Sequence, residues 1–535
     1  MLNTIFVTQG SRLELFYKVM LAMKEFMEFD KIGFYAVDSR FFEKFKKDQS
    51  DINSSTFSLL KEWDIIRDAS NVKLDISILK RYEIDIGEPC LWNALVADRK
   101  IYSGKKYTHS LDYKPRFSHE EMLCILQVGL ERMDNLFSKV KPDFVVSFQC
   151  VTLGEYLSFL FAKARNIPFL NLKPTRIRNY IYAGEDVLEP SASLQKTYEK
   201  LMTEGMDSAL EREISTYLEE LRSTNAMYEG VIPVSNRPPD SNVLGRKTAS
   251  VFRRNKALVS AVMSDIICKS GDFKFDNSLN RYISNYYYKK LKRPIIARKM
   301  RIVFRNTYVN KTDLESISYA LFPLHTEPEV TLNLYSKPYL NQIEAVRLIS
   351  HNLPVGMKLL VKEHPVCIGK RKISYYKKLL EIPNVLLAPP DMKSRDLINN
   401  ADLITVISGS IGLEGLFMKV PVIVFGRAPF NFLPKKMIHY VKNPDTLGYE
   451  IRNLLKNHQH DEQAIKCYVG AIMKDSVPVD FYSILSGRPE AYNPNQLSRN
   501  SNEGIKEFEN QTKLLAKYLV DRYQKMLIMQ ETFQS

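Results

Sequence analysis

Two short loops combine residue types suited to work on a departing phosphate. Lys362-Glu363-His364-Pro365 follows the apolar run 358–361, and Ser408-Gly409-Ser410-Ile411-Gly412 follows the run 403–407. A histidine at a strand's carboxyl end can donate to a phosphate oxygen or protonate a leaving one, and Pro365 stiffens the turn that aims it. Small residues between a strand and a helix let backbone N–H groups approach an anion, which the helix N-terminus favours. Glu414, one turn into that helix, is placed to accept from ribose hydroxyls. A third loop, Leu324-His325-Thr326-Glu327-Pro328-Glu329, follows 318–323, where Glu327 or Glu329 can accept from a base amino group or hold His325. The candidate nucleotide-binding set is therefore His325, Lys362, Glu363, His364, Pro365, Ser408, Gly409, Ser410 and Glu414.

The first third of the chain offers a second group. Gln9-Gly10-Ser11-Arg12 follows the run 3–8, and Asp38-Ser39-Arg40 follows 31–37. Glu155, near a helix start after 144–148, is a candidate general acid or base. Lys173, Arg176 and Arg178, after 167–172, offer cations to an anionic acceptor. Gly10, Arg12, Asp38, Lys173, Arg176 and Arg178 are thus candidate acceptor residues, and Glu155, Glu327 and His364 candidate catalytic ones. Helix capping alone would also gather such residues at helix starts. No Asp-x-Asp pair, Walker loop, GxGxxG or GxSxG elbow is present, so no metal is expected in the site.

Strands and helices must aim these loops. Apolar runs at 3–8, 31–37, 144–148 and 167–172 alternate with helical spacing at 13–29 and 153–164. The alternation restarts at 318–323 and continues through helices at 337–352 and 394–400, strands at 358–361, 385–388 and 403–407, a helix to 418 and a strand at 420–425. This predicts an α/β class with two doubly wound, Rossmann-like lobes, parallel sheets covered on both faces, and ligands at the strands' carboxyl ends. The divisions expected are a first lobe over 1–185, a helical connector over 186–310, a second lobe over 311–500, and a last amphipathic helix over 501–535.

With 45% hydrophobic and 26% charged residues in 535, the chain can bury sizeable cores, which excludes a disordered protein. No apolar run reaches the roughly 18 residues of a membrane span, and the opening MLNTIFVTQGSRLEL reads as strand and helix, not a secretory leader. Six cysteines without a CxxC argue against a disulfide framework or zinc site and point to a reducing cytoplasm. The net charge of +15 is concentrated: residues 241–310 hold sixteen Lys and Arg against three Asp. Interleaved with Tyr286-Tyr287-Tyr288, this pattern suits an anionic membrane surface, and equally a solvated helical connector. It lacks any recognised nucleic-acid module, so nucleic acid is not expected as a partner.

The segments Phe322-Pro323-Leu324-His325-Thr326-Glu327-Pro328-Glu329, Lys362-Glu363-His364-Pro365 and Ser408 through Glu414 resemble the C-terminal, nucleotide-binding lobe of GT-B glycosyltransferases from bacterial capsule and surface-polysaccharide loci. The His-Pro pair is similar to that of CMP-sugar users: the Kdo transferases of capsule synthesis and several bacterial sialyltransferases. Teichoic-acid polymerases that use CDP-polyols also carry one. The resemblance implies that His364 and Pro365 contact a cytidine nucleotide's phosphate, with Ser408 and Ser410 beside them. It implies a metal-independent, cytoplasmic glycosyltransferase whose first lobe takes the acceptor and whose second takes the nucleotide sugar. The donor implied is CMP-linked, an ulosonic acid such as Kdo, with no further cofactor. The acceptor implied is a lipid-linked or oligosaccharide chain of a capsule or lipopolysaccharide, met at the inner membrane face. Other readings stay open: a CDP-polyol or other nucleotide-sugar transferase, an epimerase on the same fold, or a non-enzymatic capsule-assembly scaffold bound to membrane.

Overall fold

The computed structural model describes residues 1–8, 12–37, 39–49, 52, 55–103, 115–178, 180–223, 287, 292–310, 312–479, 484 and 502–534. The first sheet comprises β1 (Leu2–Thr8), β2 (Phe29–Ala36), β3 (Phe57–Lys61), β4 (Phe144–Phe148), β5 (Phe169–Pro174) and β6 (Ile181–Gly184), in the order β3-β2-β1-β4-β5-β6. The second comprises β7 (Tyr319–Pro323), β8 (Lys358–Lys362), β9 (Val385–Leu387), β10 (Leu403–Val406), β11 (Val422–Val424) and β12 (Ile438–Tyr440), in the order β12-β11-β10-β7-β8-β9. Both orders are those of a doubly wound sheet, so the two-lobed α/β fold class is as expected. Central strands such as β4 and β10 are buried along their whole length, as strands covered on both faces must be. β6 departs from the parallel expectation and pairs antiparallel with β5. The turn between them is too short for a crossover helix, which leaves only an antiparallel return.

The helices that position the site are α1 (Leu13–Met23), α2 (Trp92–Ala97), α3 (His119–Val140), α4 (Leu153–Ala164), α5 (Ala192–Glu204), α6 (Ser208–Ser223), α7 (Gln342–Asn352), α8 (Ile373–Leu380), α9 (Ser410–Phe417), α10 (Glu462–Asp475) and α11 (Asn502–Gln534). Ser118 with Glu121, and Thr152 with Glu155, form capping boxes that start α3 and α4. In the first turn of α4, Gly154 lies against the Tyr35 ring, where a Cβ would sit 2.0 Å from Tyr35 Cζ. The Tyr35 hydroxyl donates to Glu62 Oε2 at 3.2 Å, and Lys100 Nζ lies 3.0 Å from Glu62 Oε1.

Burial pushes the Glu62 carboxyl up to about 7, beyond the opposing pull of Lys100. Because the folded state binds this proton more tightly than an unfolded chain, the group's stabilising contribution is complete below pH 4.5 and is lost as pH rises through about 7. A Glu62→Gln variant is therefore expected to gain on the wild type between pH 5 and pH 8, by on the order of 3 kcal/mol. Urea titrations of the pair at both pH values check this.

The lobes are sewn together by helices at the chain's middle and end. Leu194, Tyr198, Leu201 and Ile214 of α5 and α6 share one core with Ile465 and Tyr468 of α10 and with the second sheet. Part of the stretch expected as a connector is thus built into the second lobe. α11 returns to the first lobe, where Leu515, Leu519 and Tyr523 pack with Phe6, Phe16 and Phe144. Buried Arg522 joins the pieces: Nη1 donates to Ser193 Oγ at 2.6 Å and Asp475 Oδ1 at 2.9 Å, and Nη2 to Glu185 Oε1 at 2.7 Å.

Of the basic stretch 241–310, residues 241–286 and 288–291 lie outside the described residues, so the expected membrane-facing surface does too. At its described end, Arg293 donates to the carbonyls of Ile368 and Val366, both at 2.8 Å, and clamps the loop that carries His364. Among the described residues no helix is long and apolar enough to cross a membrane.

Candidate functional site

The strand order of the second sheet reverses between β7 and β10, and a doubly wound sheet binds its ligands in the crevice that opens there. The loop after β7 delivers His325, Glu327 and Glu329. β8 delivers His364 next to it, and β10 runs into Ser408-Gly409-Ser410 at the start of α9.

The start of α9 carries no side-chain cap. Gly409 occupies the N-cap position and makes no such bond. Ser408 Oγ donates instead to Arg427 O at 2.5 Å, and Ser410 Oγ contacts Glu414 Oε1 at 3.4 Å. A helix start left without a carboxylate or hydroxyl cap suits an anion from outside the chain. The His325 ring lies over this turn, since a Cβ on Gly409 would come 2.9 Å from His325 Cε1. His325 is buried, and its Nε2 has no hydrogen-bond partner among the described residues. Its Nδ1 lies 3.7 Å from Glu329 Oε2. Burial would raise the Glu329 carboxyl, but the hydrogen bond and charge of His325, then the charges of Arg99 and His364, outweigh it and pull it down to about 2.

His364 sits at the solvent-accessible edge of the crevice. Its N–H donates to Glu363 Oε1 at 2.6 Å, and its Nδ1 accepts from Val366 N at 3.1 Å. A ring whose Nδ1 accepts carries its proton on Nε2. The crevice walls shed water from the ring and lower its pKa, outweighing the opposite effect of Glu329 and Glu363. At neutral pH His364 is thus a neutral donor through Nε2. Pro365 opens the short 3₁₀ turn that follows.

Several neighbours are engaged in holding the loops. Glu363 is buried and bonded to Arg371 and, at 2.5 Å, to the Tyr376 hydroxyl. Lys362 Nζ donates to Pro390 O at 3.1 Å, and burial lowers its pKa to about 8. Glu327 accepts from Gln342 Nε2 and, at 3.2 Å, from Arg371 Nη2. Arg371, with no exposed surface, also donates to His325 O. It therefore ties the β7 and β8 loops together, a role sequence reading missed because a fully buried arginine carries no pattern. Burial raises the Glu414 carboxyl to about 7, against the pull of Ser410 and Arg395.

The first lobe answers differently. Glu155 is buried, and its Oε2 accepts from Val151 N at 2.6 Å and Thr152 N at 3.0 Å, while Asp98 Oδ2 accepts from Leu153 N at 2.8 Å. The start of α4 is thus filled by the chain's own carboxylates, in contrast to α9. Lys173 is buried and donates to Asp186 O at 2.7 Å and Glu189 O at 3.2 Å, and burial lowers its pKa to about 8. Arg178 pairs with Glu213 at 2.9 Å. Arg176 adopts a left-handed backbone with φ 68, and Arg12 stands at the N-cap of α1. Gly10 and Asp38 lie outside the described residues. Arg99, which the sequence did not single out, reaches electrostatically across to Glu329.

A family model described as Capsule polysaccharide biosynthesis protein matches residues 229–433. That is less than half of the chain, and it contains the loops bearing His325, His364 and Ser408–Ser410. This stretch is therefore similar to capsule polysaccharide biosynthesis proteins. No curated protein matches the chain. Among solved structures, Thermosulfurimonas dismutans KpsC, beta Kdo 2,4 transferase, is 13% identical over 61% of this chain and 78% of its own, with a TM-score of 0.32. The beta Kdo 2,7 transferase of the same KpsC is 12% identical over 65% and 82%, with a TM-score of 0.33. UDP-GlcNAc 2-epimerase from Methanocaldococcus jannaschii is 12% identical over 88% and 98%, with a TM-score of 0.25. All three are slight likenesses.

The assembled geometry offers an anion two histidines, a serine and an open helix start, in a crevice between lobes. Among the described residues no group of three or more His, Cys, Asp or Glu is placed to hold a metal ion.

Proposed function

We propose that this chain is a glycosyltransferase of capsule polysaccharide biosynthesis that takes an ulosonic acid such as Kdo from a CMP donor and adds it to a surface glycan. The observation that carries the reading is the uncapped start of α9 at the switch point, beneath His325 and inside the stretch matched by the capsule family model. In this reading the α9 amides and Ser410 hold the donor phosphate, and Glu414 meets the ribose. An acceptor hydroxyl attacks the anomeric carbon while the bond to CMP breaks. His364 Nε2–H and the helix start then face the charge that builds on the leaving phosphate, where fixed donors are worth most. We assign Glu327, held in place by Arg371, to receive the hydroxyl proton, and Glu155 to hold the loop at the start of α4. No metal or further cofactor takes part. The work is cytoplasmic, at the inner membrane face, with 241–310 against anionic lipid and a lipid-linked or oligosaccharide acceptor.

The test is product analysis. Purified protein given CMP-Kdo and glycolipid extracted from a capsule-bearing cell should release CMP and yield glycan heavier by one ulosonic residue. Conversion of a nucleotide sugar without acceptor would replace this reading with an epimerase, and an intact donor throughout would refute it.

A further inference from the structure

Beside Glu327, where the two lobes face each other, lies a cavity of 990 Å³, at the upper end of the volumes of small-ligand sites. Its first-lobe wall is aromatic: Trp92, from α2, and His119, at the start of α3, pack together with ring centroids 5.3 Å apart and planes tilted by 36°. Its second-lobe wall is cationic. Exposed Lys372 and Lys378 line it together with buried Arg371, whose Nε has no hydrogen-bond partner among the described residues. Lys372 stands at the start of α8, which has no side-chain cap, and Lys378 lies in its last turn. The opposing carboxylate on the wall, Glu327, is already bonded to Arg371.

We infer that this cavity binds the acceptor and that the acceptor is an acidic saccharide. The inference rests on the transferase reading and adds where the acceptor lies and what charge it bears. A flat aromatic face packs against the apolar C–H face of a sugar ring. The cations and the open start of α8 favour a carboxylate or phosphate on that sugar. The same loop that puts His325 over α9 puts Glu327 on the cavity wall, so an acceptor held here borders the donor crevice.

Trp63 and Trp92 are the chain's two tryptophans, so Trp63→Phe leaves Trp92 as the fluorescent reporter. In that background, tetragalacturonate should shift Trp92 emission saturably and maltotetraose should not. Adding Lys372→Ala and Lys378→Ala should weaken tetragalacturonate at least tenfold without lowering Tm, because both side chains are exposed. CMP should leave the emission unchanged. An equal response to maltotetraose, unchanged affinity in the double variant, no saturable response, or a response to CMP alone would each overturn the inference. Failure of the transferase reading shows separately, as saccharide binding without stabilisation by any nucleotide.

Discussion

Replacing His364 by alanine is expected to lower the transfer rate about 10²–10³-fold, the usual loss when one fixed donor to developing charge is removed. Donor affinity should change far less, because the α9 amides and Ser410 still hold the phosphate. The argument comes from one bond. Val366 N donates to His364 Nδ1, which leaves the ring's single proton on Nε2. The lowered pKa keeps that ring neutral at pH 7, so the rate should not depend on its charge between pH 7 and 8. Single-turnover kinetics with saturating CMP donor separate the chemical step from binding. An unchanged rate would remove His364 from the leaving-group site.

Arg371→Met should be the most destabilising single change near the site, costing about 3–5 kcal/mol, the range for breaking a buried ion pair from one side. The guanidinium reaches Glu363, Glu327 and the His325 carbonyl, and its removal leaves two carboxylates inside the lobe without their cation. Arg371→Lys should recover only part of the loss, since an ammonium cannot span carboxylates on two loops as a planar fork does. Calorimetry of the three proteins should show the order wild type, lysine, methionine. The methionine variant should also lose nucleotide binding, because the β7 and β8 loops would no longer be held in register.

The two sheets were legible because their central strands are unbroken apolar runs whose ends are punctuated by Gly, Ser and Pro. The turn at Ser408–Ser410 was legible for the same reason, and the fold sets it at the switch point. The loop chemistry was less so. Lys362-Glu363-His364 reads as three ligands in a row, and nothing in their spacing shows which of them the chain's own groups occupy. His364 stays at the crevice while Lys362 and Glu363 turn inward to Pro390 and Arg371. Glu155 looks the same on paper as a base or as a cap, and only its bonds to Val151 N and Thr152 N show the cap. Arg371, Arg99 and the Trp92–His119 wall draw their meaning from partners far along the chain. No local spacing encodes them.

The central claim is that a nucleotide phosphate binds at the start of α9, and nucleotide stabilisation tests it most directly. Thermal unfolding of the full chain would be followed with CMP, CDP, UMP, UDP, GDP and ADP, alongside a Gly409→Val variant whose side chain must displace His325. The account predicts that CMP at about 100 times its dissociation constant adds about 2.7 kcal/mol to the wild type and nothing to the variant. No stabilisation by any nucleotide, or equal stabilisation of the variant, would contradict it.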